Sequence, residues 1–189
     1  MIAVIGSAVR ARFGDALSIG VNILRNDARS ALGAAAACGA DFIRVNVHVG
    51  AAWTDQGLIE GRAHETLRYR RELGAERVRI AADVLVKHAA PAGVTDIQEV
   101  ARETAWRGGA DVLIVTGSRT GGVTDLKQVE RVRAAVADRP IWVGSGVTPG
   151  NLTAVRKLAD GAIVGTWLHE DADLTAPLSA ERVRRLVER

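Results

Sequence analysis

The sequence predicts an α/β fold of the TIM, or (β/α)8, barrel type, formed by one domain over residues 1–189. Strand-like apolar runs alternate six times with helix-like segments and no break in composition separates them, which is typical of a single α/β unit with a parallel sheet. The 189 residues divided by six give about 31 residues per unit, and eight such units would reach about 250 residues, the usual length of this barrel. We therefore expect an incomplete barrel of about six βα units, about two short of closure.

The individual elements follow from apolar runs and from residues that begin or end helices. Strands are expected at 16–24, 41–49, 77–88, 111–117, from Ile141 onwards, and at 161–166. Helices are expected at 1–13, 28–38, 60–73, 96–107, 125–137, in the 150s from Pro149 onwards, and at the C-terminus. Asp27, Thr95 and Ser179 are the expected N-caps. A long loop is expected between the second strand and the third helix.

Composition excludes several classes of protein. The net charge is only +3, aromatic residues make up 4% of the chain, and arginines are interspersed with glutamates, so nucleic-acid binding is not expected. No apolar run approaches the roughly 20 residues that span a membrane, and the N-terminus lacks the order of a secretory signal. The lone Cys38 lies in an alanine-rich helix and is expected to be buried. A cytoplasmic location is therefore expected; the sequence identifies no cofactor.

Two glycine turns follow consecutive strands near the C-terminus. The first comprises Gly144, Ser145, Gly146 and Val147, and the second Gly165 and Thr166. Glycine lets a backbone approach a ligand closely, and the seventh and eighth βα loops of a barrel commonly hold phosphate. The sequence therefore predicts a phosphate site at these turns. The alternative is two tight turns without a ligand.

Polar residues alternate with apolar ones along the first three strands. Because side chains alternate faces and the outer face of a barrel packs on helices, the polar set should point into the lumen. It consists of Asn22, Asn46, His48, Asp83 and Lys87, with Arg44 in the same phase. The later residues of each strand would lie near the C-terminal mouth, where barrel enzymes carry their catalytic groups.

Lys87, His88, Asp83 and Asn46 are the catalytic candidates. A lysine in a dry lumen could form a Schiff base, act as a base or hold a phosphate, because burial lowers its pKa. The alternative is an Arg44–Asp83–Lys87 ion network that fills the barrel without a reaction. Asp55 and Ser118 lie in loops expected at the mouth. No close spacing of histidines or cysteines supports a metal site.

Five long motifs resemble the BtpA/SgcQ family. They are GVNILRNDA (20–28), ADFIRVNVHVGAAWTDQGLIEGRA (40–63), ADVLVKHA (82–89), DVLIVTGSRTG (111–121) and VGSGVTPGNL (143–152). The resemblance implies a TIM barrel. The family is named for a membrane-associated factor needed to accumulate photosystem I, and another member is an enzyme-like protein of a sugar-utilisation cluster. The resemblance implies a fold more than a reaction.

The resemblance also implies two further βα units before the position of Met1. Without them we expect exposed sheet edges and a homo-oligomer or a covering partner. Three hypotheses follow. The first is an enzyme, of unknown reaction, that binds a small phosphorylated metabolite such as a sugar phosphate or nucleotide. The second is a non-catalytic biogenesis factor for a membrane complex such as photosystem I, associated peripherally with the membrane. The third is a truncated barrel without independent function.

Overall fold

The computed structural model describes residues 1–86, 89–117, 122 and 124–188, in which strands and helices alternate as expected. The strands are β1 (Gly20–Val21), β2 (Phe42–Val45), β3 (Ala51–Thr54), β4 (Gly57–Glu60), β5 (Arg79–Asp83), β6 (Ala90–Pro91), β7 (Val112–Val115), β8 (Ile141–Val143) and β9 (Gly161–Ala162). The helices are α1 (Ile2–Phe13), α2 (Ala28–Cys38), α3 (Ala63–Glu72), α4 (Ile97–Arg102), α5 (Leu126–Ala135), α6 (Leu152–Leu158) and α7 (Ala180–Val187). A π-helical turn, Glu103–Arg107, continues α4.

Six strands form one parallel sheet in the order β1-β2-β5-β7-β8-β9. Each strand pairs with the next one of this sheet along the chain, which is the strand order of a (β/α) barrel that has not closed. This confirms the predicted α/β class and the six parallel strands. The carboxyl ends of all six strands lie at one edge, so the loops that follow them share one face of the molecule.

The two faces of the sheet carry different packing. The helix-facing side is covered by two large apolar clusters, and the other side by a small one of Ala81, Val112 and Ile114. On that small side Phe42 of β2 meets Trp142 of β8 edge to face, with ring centroids 5.2 Å apart. Because β5 and β7 lie between these strands, and neighbouring strands are about 4.8 Å apart, the rings can meet only if this face is concave. The concave face is the inner wall of the barrel.

Three ion pairs fasten the amino-terminal edge of the sheet. In each, an aspartate lies just before a strand and accepts a hydrogen bond from a backbone N–H near the start of the neighbouring strand that comes earlier in the chain. The same aspartate forms an ion pair with an arginine of a helix. The pairs are Asp41–Arg10, Asp111–Arg70 and Asp160–Arg133. This edge of a barrel generally serves stability, whereas the opposite edge carries function.

The helix ends follow local chemistry. Asp27 caps α2 by accepting a hydrogen bond from the Ser30 N–H at 2.9 Å, and Gly39 in the left-handed region ends the helix. Ser179 caps α7, as predicted. The prediction of Thr95 as a cap is wrong: Asp96 fills that position and accepts hydrogen bonds from two backbone N–H groups. Cys38 is buried, as expected.

Two expectations about strands need correction. The expected long loop contains a hairpin, in which β3 and β4 pair antiparallel across a turn at Asp55 and Gln56, and β6 adds a third strand. Thr54 stabilises the turn, since its hydroxyl donates to the Gly57 carbonyl at 3.0 Å. The first and sixth predicted strands are also much shorter, at two residues each. The predicted strands are too long because the apolar runs of the sequence extend beyond β1 and β9 into segments that are not paired as strands.

Candidate ligand site

The two predicted glycine turns lie on either side of one cavity. A cavity of about 240 Å³ is lined by all six residues of the two turns and by Arg44 of β2. The turns come together because β8 and β9 are neighbours in the sheet, so the loops after their carboxyl ends meet at the mouth. The cavity thus combines glycine-rich backbone with an arginine.

Side chains outside the motif hold the first turn in place. Asn151 donates from Nδ2 to the Gly146 carbonyl at 2.9 Å, and its Oδ1 accepts from the Thr148 N–H at 2.9 Å. The Thr124 hydroxyl donates to the Ser145 carbonyl at 3.1 Å. The expected helix start at Pro149 is wrong, because α6 begins at Leu152 and residues 149–151 form a turn. Asn151 therefore fixes the shape of the loop, a role the sequence prediction missed.

Two glycines of the first turn have distinct reasons to be glycine. Gly146 has φ of +68°, a conformation that side chains disfavour. A Cβ at Gly144 would lie 2.6 Å from Thr116 Cγ2 and 2.8 Å from Ile114 Cγ2, so this glycine allows close packing between neighbouring strands. Gly144 therefore has a packing reason for its identity besides any contact with a ligand.

The backbone N–H groups of the two turns differ in whether the described part of the chain uses them. Within the part of the chain that the structure describes, the N–H groups of Gly146, Gly165 and Thr166 donate no hydrogen bond to another residue. The Gly144 N–H, by contrast, is used by the Val115 carbonyl at 2.8 Å. Backbone N–H groups at such loops form the cradle in which proteins commonly bind phosphate oxygens.

Arg44 forms a bidentate ion pair with Asp83 of the adjacent strand β5. Its Nε donates to Oδ1 and its Nη2 to Oδ2, both at 2.9 Å. The side chain of Arg44 is 16% exposed and that of Asp83 is fully buried. Such a planar pair fixes both groups, and it leaves the cationic guanidinium at the wall of the cavity. The alternation of polar residues predicts Arg44 in the lumen, but the sequence does not mark it as a site residue.

Asn46 and Asn22 extend this pair into a chain of hydrogen bonds across three strands. Asn46 Nδ2 donates to Asp83 Oδ2 at 3.2 Å, and Asn22 Nδ2 lies 3.2 Å from Asn46 Oδ1 and 3.0 Å from the Arg44 carbonyl oxygen. The structure therefore brings together Asn22, Asn46 and Asp83, as the alternation predicted. It also contains the Arg44–Asp83 part of the ion network that was the non-catalytic alternative.

His48 does not join this group. Its Nε2 lies 2.8 Å from the Gly108 carbonyl oxygen at the end of the π-helical turn, so the imidazole points to the helix side. The prediction that His48 faces the lumen is wrong, because β2 ends at Val45 and the alternation of faces does not continue to residue 48. Burial lowers the pKa of His48, and the hydrogen bond to Gly108 opposes this effect. Among the described residues Nδ1 has no hydrogen-bond partner.

Asp55 is separate from the cavity. Asp55 is exposed in the turn of the hairpin, where its carboxylate pairs with Arg25 at 3.0 Å, so its expected place at the ligand is not supported. Lys87, His88 and Ser118 lie outside the described residues. Among the residues that are described, no cluster of three histidine, cysteine or acidic side chains could hold a metal ion.

A second and larger cavity adjoins the network. It has a volume of about 750 Å³ and is lined by Asn46 and Asp83 at one end and by residues of β3, β6, α4 and α5 elsewhere. Its lining combines apolar residues, among them Val84, Val115 and Ile97, with charged ones such as Glu103 and Arg131. This volume lies in the range of small-molecule sites.

No helix in the described ranges is both long and apolar enough to cross a bilayer.

Comparison with known proteins places the sequence in a family. The model of the BtpA family matches residues 2–189. The chain is 44% identical over 170 residues to the photosystem I biogenesis protein BtpA of Synechocystis sp., covering 90% of this chain and 59% of that protein. It is 43% identical over 187 residues to an uncharacterised protein of Thermococcus kodakarensis, covering 99% of this chain and 69% of the relative. The chain thus spans about three fifths of the Synechocystis protein.

Solved structures with similar folds are TIM-barrel-type proteins. Thiamine phosphate pyrophosphorylase from Pyrococcus furiosus superposes with a TM-score of 0.66 at 16% identity, over 99% of this chain and 74% of that one. Phosphoribosyl anthranilate isomerase from Thermus thermophilus gives 0.65 at 15% identity, over 97% and 76%. At this identity the similarity establishes the fold alone. The chain belongs to the BtpA family and has a TIM-barrel-type α/β fold.

Proposed function

We propose that this chain binds a small phosphorylated metabolite, with the phosphate held between the two glycine turns and Arg44. The observation that carries the proposal is the 240 Å³ cavity lined by both turns and by this arginine. Among the described residues the N–H groups of Gly146, Gly165 and Thr166 have no acceptor, so they could donate to phosphate oxygens, and the Arg44 guanidinium supplies positive charge. A phosphate dianion satisfies donors of both kinds. A neutral sugar would satisfy only the hydrogen-bond donors.

Asp83 restricts the ligands that fit. Its carboxylate offsets part of the charge of Arg44, so an anion must gain affinity from the backbone donors as well. This favours phosphate, which has several oxygens to accept from both sources, over a small monovalent anion. Asp83 and Asn46 line the neighbouring, larger cavity, and we propose that they take part in proton transfer or carbonyl chemistry together with Lys87 and His88.

A charge reversal at the second turn tests the proposal. Thr166→Glu would add a carboxylate to the cavity wall, whereas Thr153→Glu makes the same change at an exposed position of α6 outside the cavity. Titration calorimetry with ribose phosphate, and with ribose as the unphosphorylated control, should give binding to the phosphate ester only. We expect Thr166→Glu to weaken that binding at least about tenfold. Thr153→Glu should stay within about twofold of the unaltered chain.

Equal affinity in Thr166→Glu and Thr153→Glu would reject this site. Binding of ribose as tight as that of ribose phosphate would reject the phosphate as the recognised group. Circular dichroism of both variants controls for folding.

A second candidate function is that of a non-catalytic biogenesis factor, as the name of the Synechocystis relative indicates for that protein. The observation in its favour is the exposed apolar surface of α1, where Val4 and Ile5 are 71% and 58% exposed. This hypothesis predicts that Val4→Glu reduces the share of the protein found with the membranes of its own cells, while Thr166→Glu does not. An unchanged membrane share in Val4→Glu would reject the hypothesis. The chain is about as similar to the Thermococcus protein, at 43% identity, as it is to the Synechocystis protein, at 44%. This favours a function that both relatives could share, such as binding of a metabolite, over one specific to the Synechocystis protein.

A further inference from the structure

The two cavities are neighbours, and a pair of side chains links their linings. Arg44 lines the smaller cavity and Asp83 the larger one, and the two side chains are joined by two hydrogen bonds of 2.9 Å. A second contact links the same cavities, because Gly144 lines the smaller one, Thr116 lines the larger one, and the Thr116 methyl lies against the space above Gly144. The cavities are therefore neighbours at the mouth of the barrel, at two independent points.

The linings of the two cavities differ in composition. The smaller cavity is bounded by the two glycine turns and Arg44, together with apolar residues such as Trp167, and its volume of about 240 Å³ suits a phosphate with a short attached group. The larger cavity, about 750 Å³, is lined by many apolar residues, among them Val84, Val115 and Ile97, and also by polar and charged ones. Its size and its apolar residues suit a ring system or another bulky part of a ligand.

We infer that the ligand has two parts: a phosphate bound at the glycine turns and a ring or other apolar group that occupies the larger cavity. The inference rests on the proposed function, since it assumes that the phosphate site is real. It extends that function by assigning the substrate class, a phosphate ester with a bulky apolar group, in place of a simple sugar phosphate. Between the two parts, the linker of the ligand would lie against the Arg44 guanidinium and Asn46, which can donate hydrogen bonds to its polar atoms, whereas the Asp83 side chain is fully buried.

The residue chosen to test the larger cavity lies on a surface helix. Gln128 of α5 is half-buried and lines the cavity, so a tryptophan there would fill the space without replacing a core side chain. Glu130 lies on the same helix, is exposed and does not line the cavity. Gln128→Trp and Glu130→Trp are therefore a matched pair with equal added volume.

Three probes separate the two parts of the site: inorganic phosphate, naphthyl phosphate and naphthol, each titrated into the full chain and both variants. We expect naphthyl phosphate to bind the unaltered chain at least about tenfold more tightly than inorganic phosphate, because the ring leaves water for an apolar wall. Gln128→Trp should remove most of this difference and leave inorganic phosphate unchanged. Glu130→Trp should change neither affinity.

Equal affinities of inorganic phosphate and naphthyl phosphate in the unaltered chain would overturn the two-part ligand and leave the phosphate site standing. A preference for naphthyl phosphate that persists in Gln128→Trp would overturn the assignment of the ring to this cavity. Binding of naphthol as tight as that of naphthyl phosphate, with no binding of inorganic phosphate, would reject the proposed function itself and with it the inference. The two failures are therefore distinguishable.

Discussion

Replacing Arg44 with methionine removes the guanidinium and keeps an unbranched side chain of similar reach. Asp83, whose side chain has no solvent exposure, then loses two charge-assisted hydrogen bonds of 2.9 Å each. Removal of one partner from a buried ion pair typically costs about 3–5 kcal/mol of the free energy of unfolding. Asn46 still donates to this carboxylate, so we expect a cost near the lower end, about 3 kcal/mol.

Urea unfolding followed by circular dichroism measures this cost as a free energy. Thermal unfolding is a second measurement: for a domain of this size each kcal/mol shifts the midpoint by about 2–4 °C, so Arg44→Met should lower the midpoint by about 6–12 °C. Arg79→Met is the matched control, because Arg79 is exposed on the neighbouring strand β5, and it should change the free energy by less than about 0.5 kcal/mol.

A second substitution tests whether charge is the cause. In the double variant Arg44→Met/Asp83→Asn the buried carboxylate becomes a neutral amide, so we expect at least about 1 kcal/mol of the lost stability to return. The reasoning is refuted if Arg44→Met unfolds within about 0.5 kcal/mol of the unaltered chain. It is also refuted if the double variant is less stable than Arg44→Met alone.

Two further predictions concern the same region. The pKa of His48 is lowered in the folded chain. As the pH falls below about 6.5, the ordinary pKa of histidine, the unfolded chain therefore binds a proton that the folded chain does not yet bind. The free energy of unfolding should decline from that pH down to the pKa of His48 in the folded chain. His48→Gln keeps an N–H donor for the Gly108 carbonyl and should show a smaller decline between about pH 7 and pH 5 in urea titrations; parallel curves would contradict this. Gly144→Ala should cost about 1–3 kcal/mol, since its methyl would lie 2.6 Å from Thr116 Cγ2; unchanged unfolding in urea would mean that the neighbouring strand yields freely.

Much of the fold could be predicted from the sequence because its signals are local and repeated. Six apolar runs separated by helix-like segments specify a parallel sheet, and caps such as Asp27 and Ser179 mark helix starts chemically. The hairpin was missed because its strands have only four residues each and bury little: of the residues in β3 only Ala52 is buried. Its usable signal was the short polar turn at Asp55 and Gln56.

The site could be predicted only in part. The glycine turns and the Asn22–Asn46–Asp83 set come from patterns that the sheet preserves, so their proximity follows from strand order. The position of His48 does not follow, because the sequence does not mark where β2 stops at Val45. Asn151 was missed because a residue after Pro-Gly in a loop can hydrogen-bond in many ways. Only the folded loop shows that it holds Gly146 and Thr148.

The most direct test of the phosphate site is a titration of ribose phosphate into isotope-labelled chain, observed through the NMR signals of its backbone amides. We expect the N–H signals of Gly146, Gly165 and Thr166 to shift together and to saturate with one affinity. Ribose at the same concentrations should leave them in place. No shift at these three amides, or larger shifts in the hairpin around Asp55 than in the two turns, would contradict the site on which the proposed function rests.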